Sequence, residues 1–388
     1  GPHRVVISHR PDWDIYDAPQ TIAAGKDVTV AADLLHSVDS TGVMCADFHI
    51  HSYYSADSSD PVPLKVTSAV ADGLDIPVSS EHEWIIDFQP VVRDLGLAGW
   101  AFGMSSQELT TFSWGHFGVV PINARPDQVN RGAIPWLGKR PAEVFHDVHA
   151  QPESPVLIVN HPRSASIGGY FSAADFQRTT LTGDPELWSD DFDAVEAFND
   201  SDFDSNRQKI VADWFALLNA GKRIWAVGSS DSHAIASSPV GYPRTCLRFG
   251  HDDPGRLTPG AVRDAVRAGQ ATISGGLYMT VETPGGIGPG GHIPSAGDSV
   301  DFRIVVQAPT WLAARQLEVI VNGETERTLE LQEVVAPAGH RYEAAITLTR
   351  PKKPQNWVVF HARGPAGRDL SPIYPGRLPF AVSNPVFF

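Results

Sequence analysis

Cysteine, positive charge and long apolar runs are all scarce in this chain, and each scarcity excludes something. Two cysteines, Cys45 and Cys246, cannot build the disulfide framework of a small secreted domain, and they leave the redox compartment open. Both lie in apolar, strand-like stretches and are expected to be buried thiols. Lys and Arg number 30 against 45 Asp and Glu, a formal charge of −15. Clustered cations that would grip a phosphate backbone or an anionic membrane are missing, which argues against nucleic acid and for a small-molecule substrate. No apolar run approaches the ~20 residues that span a bilayer, and no signal peptide is visible. The chain opens on Gly1-Pro2 without Met. The expectation is a soluble, bacterial-type protein, exported if a targeting segment has been trimmed away.

What is present is length and pattern. A chain of 388 residues exceeds one usual core, so two domains are expected, or one large barrel with an appended module. Residues 1–40 alternate short apolar runs, Val5-Val6-Ile7 and Val28-Thr29-Val30, with Pro, Asp and Gly, and read as an N-terminal β extension. From 41 to 280 apolar strands are separated by helix-length segments, the signature of βα units and a parallel sheet. From 298 to 388 the pattern is β again, with an Asn322-Gly323 hairpin turn, and a small sandwich-like module is expected. The fold class is therefore α/β.

The chemistry begins at Asp47-Phe48-His49-Ile50-His51-Ser52. Residues i and i+2 of a strand share a face, so His49 and His51 project the same way and can share one ion. His82, Glu108, His116, His161, Asp231 and His233 also fall at the ends of expected strands. Imidazoles with a carboxylate are the usual ligands of Zn, Mn or Fe, and strand ends form the active-site face of an α/β barrel.

On these residues the sequence resembles the polymerase-and-histidinol-phosphatase (PHP) family of metallohydrolases, and within it the carbaryl-hydrolase-like branch. The resemblance spans about residues 41–245. It is carried by the motif at 47–52, Ser55-Ala56-Asp57-Ser58-Ser59, Glu81-His82, Gln107-Glu108-Leu109-Thr110-Thr111, Gly115-His116-Phe117, Asn160-His161-Pro162-Arg163 and Ser230-Asp231-Ser232-His233. Pro379-Phe380-Ala381-Val382-Ser383-Asn384-Pro385 also looks like that branch. The resemblance implies a distorted (β/α)7 barrel holding two or three divalent ions. It implies one site from His49, His51, Glu108 and Asp231, a second from Asp57, His82 and His233, and a third from Glu108, His116 and His161, with Glu108 bridging two ions. The family usually has Asp where Glu81 stands, and the longer carboxylate is expected to shift the ring of His82 and weaken the second site.

Clustered cations lower the pKa of bound water and polarise a substrate oxygen, so the nucleophile can be a bridging hydroxide, with Ser52, Ser55, Ser229 and Ser230 as spectators or outer supports. Arg163 can present a planar donor fork to a phosphate or carboxylate, and it stands with Asp57 and His233 as a catalytic candidate. Glu196 either reaches the site or stabilises a loop. Tyr53, Tyr54, Trp84, Trp114, Tyr170 and Phe171 flank ligand positions and either line a pocket or pack its rim. His146 and His149 read as a solvated helix face, and the 285–291 glycine run as a linker. The leading expectation is hydrolysis of a small phosphoester. The alternatives are hydrolysis of a carbamate or carboxylic ester at the same centre, and a non-catalytic binding protein stabilised by its metals.

Overall fold

Strand Val43–Ile50 is buried on both faces, with Met44, Cys45, Ala46, Phe48 and Ile50 each at most 2% exposed. Fully burying a side chain of this size is worth about 1.5–3 kcal/mol, so the strand is fixed firmly before its histidines are considered. The computed structural model describes all residues except 10, 165–167, 201–202, 295–296 and 354. Among the described residues the chain is mixed α/β, with a 15-stranded sheet of mixed direction and two smaller antiparallel sheets.

Along the large sheet the order is Trp225–Ser229, Ala194–Asn199, Val156–Val159, His116–Val120, Met104–Thr110, Ile76–Ser79, Val43–Ile50, Arg244–Arg248 and Ala271–Gly275. The expected all-parallel arrangement is corrected at two places. His116–Val120 runs antiparallel to both neighbours, because the connection from Thr110 to His116 is far too short for a crossover. Arg244–Arg248 is likewise antiparallel to Val43–Ile50. The Ile50–Ser232 bridge, with His51 N–H donating to Ser232 O at 3.0 Å, brings the end of the outermost strand back to the middle of the sheet.

That second antiparallel pair also overturns the expectation of free thiols. Its register sets Cys45 opposite Cys246, and the two are joined in a disulfide across a sequence separation of 201. Pairing register between distant strands leaves no mark on either strand's own sequence.

Helix Val62–Ala71 starts on prolines and stops before Gly73, whose φ of +76° suits a residue without a Cβ. In the N-terminal extension the hairpin pairs Pro2–Ile7 with Tyr16–Thr21, and Val28-Thr29-Val30, expected as a strand, is irregular. The expected Asn322-Gly323 turn joins Gln316–Val321 to Glu324–Glu330.

Strand pairing spans the boundary expected between 280 and 298. Tyr278–Glu282 joins a four-stranded sheet with Ser299–Ala308, His340–Thr349 and Glu333–Val334. In the other direction Phe380–Ser383 pairs with Ala271–Gly275 and carries Trp357–Arg363 and Gln316–Val321 into the large sheet. Side chains of the two sheets share one core, with the rings of Phe302 and Phe360 at 5.4 Å. Among the described residues no helix is long and apolar enough to cross a membrane.

Candidate metal centre

Glu108 stands, wholly buried, at the centre of the polar cluster. Its Oε1 lies 3.0 Å from His49 Nε2, 3.3 Å from His161 Nε2 and 3.4 Å from His116 Nδ1. Its Oε2 lies 2.8 Å from His82 Nδ1 and 3.7 Å from His51 Nε2. Asp231 Oδ1 faces the same two strand-end rings, at 3.2 Å from His49 Nε2 and 3.4 Å from His51 Nε2. At the mouth Asp57 Oδ2 is 3.2 Å from both His82 Nε2 and His233 Nε2. The nine residues expected as ligands are thus brought together.

They form four overlapping groups whose ligand atoms lie within 4.8 Å of one another. Glu108, His116 and His161 make one, as the resemblance implies. His51 joins Asp57, His82 and His233 in another, and His161 joins His49 and Asp231, so these two rings serve more than their expected sites. His116 begins its strand rather than ending one, and it reaches the same face because that strand runs backwards.

Which ring nitrogen faces inward is set by the layer behind. Glu196, 1% exposed, accepts from His49 Nδ1–H at 3.0 Å, which leaves Nε2 as a bare lone pair. Ser55 donates to Glu81 at 2.6 Å, so toward His51 Nδ1, at 2.9 Å, it can only accept. His51 Nε2 is then also bare. His233 donates Nδ1–H to the Asp231 carbonyl at 2.9 Å. Glu81 accepts from Ser52 N–H at 3.0 Å and from Ser55, and Ser55 in turn supports His51 and accepts the His82 N–H at 3.2 Å, so Glu81 acts on His82 through Ser55.

These residues fit a bound cation. His49 Nε2, His51 Nε2, His116 Nε2 and His161 Nδ1 are buried without a hydrogen-bond partner, an arrangement that costs free energy unless something charged fills the gap. Bare imidazole nitrogens and carboxylates converging from several strands are such a donor set. Burial alone would lower the pKa values of His49 and His161, but Glu108 and Asp231 outweigh it and raise both, so the carboxylates favour positive charge at this point, a charge that a bound cation would supply. Burial alone would raise the pKa of Glu108, but His49, His116 and His161 outweigh it and hold the carboxyl well below its usual range. Burial lowers His51 to about 3, with the nearby His49 and His233 adding to the effect. His161 and Asp231 adopt positive φ, +26° and +54°, a conformation non-glycine residues hold only where neighbours enforce it. Gly168 clears the way for the rings, since a Cβ there would come within 2.8 Å of His161 Cε1.

The cluster floors an open cleft of about 340 Å³ whose outer lining is mixed: Ser164, Asn199, Ser205, Asn206 and Lys209 with Ile210. The aromatics do not line it. Trp114, Tyr170 and Phe171 are buried in the core, while Tyr53 and Tyr54 are 70% and 50% exposed, Tyr54 stacking on Trp84. Arg163 borders the cleft, but its donor fork is turned away. Nε binds Asp213 at 2.6 Å, Nη1 the Phe171 carbonyl at 3.1 Å and Nη2 the Phe176 carbonyl at 2.9 Å. The anion-binding role expected of Arg163 is therefore corrected: it ties its loop to the Ala212–Asn219 helix. His146 is exposed on its helix, as expected.

Sequence reasoning left Glu196 undecided and passed over Asn160, Asn199 and Lys209. Asn160 donates to Glu108 Oε1 at 2.9 Å, and Asn199 to Glu196 at 2.9 Å and Asp231 at 3.3 Å. Position at a strand end was the available signal for the two asparagines. A second cleft, about 450 Å³, lies at the opposite end of Val43–Ile50. Its arginines are engaged by carboxylates, Arg248 with Glu282 and both Arg303 and Arg341 with Glu343, and it holds none of the ligand groups.

Compared with models of known families and with curated proteins, the chain gives no significant match.

Proposed function

We propose that this chain is a metal-dependent hydrolase of small phosphoesters, a member of the PHP family whose sheet forms a distorted seven-stranded α/β barrel. The observation that carries the reading is Glu108, buried and ringed by His49, His51, His82, His116 and His161, at the floor of an open cleft. The Ile50–Ser232 bridge supports the barrel, since it joins strands far apart in the sheet order. Two or three divalent ions, Zn, Mn or Fe, would be held by His49, His51, Glu108 and Asp231, by Asp57, His82 and His233, and by Glu108, His116 and His161. Such ions activate water and polarise a substrate oxygen at neutral pH.

The chain's own residues do the rest. Glu196 and Ser55 keep the Nδ1 protons of His49 and His51 pointing outward, so Nε2 of each stays available. Asp57 and His233, 55% and 29% exposed, would hold the ion nearest the mouth, where an entering substrate oxygen meets the cluster first. Among the described residues the cleft wall carries Ser164, Asn199, Asn206 and Lys209 beside Ile210 and no Phe, Tyr or Trp, so it offers hydrogen bonds and one cation but no aromatic face to stack an aryl carbamate.

The test is to strip the protein with chelator, reload it with Zn, Mn or Fe, measure bound metal, and assay phosphomonoesters, phosphodiesters, aryl esters and carbamates. Turnover of phosphoesters that tracks metal content is expected. Failure to bind metal, or ester turnover with no phosphoester turnover, sinks the reading.

A further inference from the structure

The cleft has two cationic side chains on its lining, Arg163 and Lys209, and only one is available. The guanidinium of Arg163 makes bonds from Nε, Nη1 and Nη2 to Asp213, Phe171 and Phe176. Asp213 is wholly buried and also accepts from Arg178 Nε at 2.9 Å, so freeing Arg163 would strand a buried carboxylate with one partner fewer. Lys209 is exposed and has no ion-pair or hydrogen-bond partner for its ammonium among the described residues.

Its position is set by an unusual backbone. Asn206–Val211 is a π-helical run that leads into the α-helix Ala212–Asn219. Wide turns of this kind occur mostly as short insertions, often beside functional sites. Here Asn206, Lys209 and Ile210 face the cleft, while Arg207 points away to Glu318. Asn206, 7% exposed, donates to the Asn199 carbonyl at 3.0 Å, and Asn199 reaches Asp231. The run carrying Lys209 is thereby bonded to the layer that supports the metal cluster.

We infer that Lys209 is the residue that recognises the substrate's anionic group, and that the substrate is a phosphomonoester with a terminal, doubly charged phosphate. This rests on the phosphoester reading above. The carboxylates of the cluster, Asp57, Glu108 and Asp231, would offset much of the positive charge of bound ions, and the chain as a whole carries −15. A doubly charged phosphate crossing the cleft wall gains more from a cation there than a monoanionic diester does.

The experiment uses the metal-loaded full chain and Lys209→Ala and Lys209→Arg variants. Binding of inorganic phosphate is measured by calorimetry, and kcat/KM with matched aryl phosphomonoester and phosphodiester. Lys209→Ala should weaken phosphate binding and monoester kcat/KM by about 10- to 100-fold, the size expected for loss of one charge-assisted contact. The diester should lose less, Lys209→Arg should recover most of the loss, and metal content should not change. A Lys209→Ala protein that binds phosphate as tightly as wild type overturns the inference, and leaves the phosphoesterase reading standing if turnover persists. Lys209-dependent phosphate binding without any phosphoester turnover keeps the anion site and removes the proposed activity. A wild-type protein that neither binds phosphate nor hydrolyses phosphoesters removes both.

Discussion

Glu318 holds Arg207 across 111 positions of sequence, and so links strand Gln316–Val321 to the π-helical run at the cleft wall. The carboxylate is 7% exposed and also grips Arg363. Glu318→Gln should destabilise the protein by about 1.5–3 kcal/mol, the range for hydrogen bonds to charged groups. It should also raise KM, because Asn206 and Lys209 lose their brace, while bound metal stays at the wild-type level. Unchanged KM with a lowered Tm would limit Glu318 to a structural part.

His49→Ala and Asp231→Ala should each bind much less metal than wild type after controlled reloading, with circular dichroism showing the fold retained. Removing an outer support, as in Glu196→Gln, should weaken metal affinity by about 10- to 100-fold. His146→Ala, on an exposed helix face, should load like wild type. Full metal content in His49→Ala would mean the ligand set is misassigned.

Arg163→Ala should act through stability. Its loss leaves Asp213 with Arg178 alone and removes the bonds that tie Arg163 to Asp213, Phe171 and Phe176. A fall in Tm is expected, together with similar proportional losses for charged and neutral substrates. Arg163→Lys should not restore Tm, since one ammonium cannot replace a planar fork. A selective loss of phosphate turnover at wild-type Tm would return Arg163 to the substrate.

His361 is 1% exposed among Phe198, Phe203 and Phe380. Burial, and then Arg207 and Arg363, hold its pKa well below 6.5. Below pH 6.5 the unfolded chain takes up a proton that the native ring refuses. The contribution is therefore fully present above pH 6.5 and lost as pH falls, by up to about 1.4 kcal/mol per pH unit from this one group. His361→Gln should flatten the fall in urea midpoint between pH 6.5 and 5 relative to wild type. Parallel curves for the two proteins would exclude His361 as a source of acid sensitivity.

Reducing the Cys45–Cys246 bond should cost stability, typically about 2–4 kcal/mol for a closed loop of substantial length. Urea midpoints with and without reductant, and for Cys246→Ser, measure it. Equal midpoints would show that the crosslink contributes nothing to the fold.

The candidate ligands at strand ends were legible because period-two geometry is local: His49 and His51 sit on one strand, and Asp231 and His233 two apart just past the end of another. The mixed α/β pattern followed from the spacing of apolar runs. What stayed hidden depends on partners distant in sequence. Nothing around Arg163 announces Asp213, and nothing around Cys45 announces Cys246. The reversal of His116–Val120 was readable in principle from its short connection, but alternation of strands and helices outweighed it. Lys209 looked like any surface lysine until the other cleft cation was seen to be occupied.

Phe380–Ser383 lies between Ala271–Gly275 and Trp357–Arg363 in the large sheet. During synthesis a long stretch of chain must therefore wait: until residue 383 has emerged, the 271–275 edge presents unpaired backbone groups, and the 357–363 strand lacks the neighbour that links it to that edge. Exposed strand edges are where nascent chains pair wrongly or aggregate. Any chain cut short before Phe380 keeps that edge permanently open, so nonsense mutations near this end should yield insoluble material, even though every residue of the candidate metal centre has already been made.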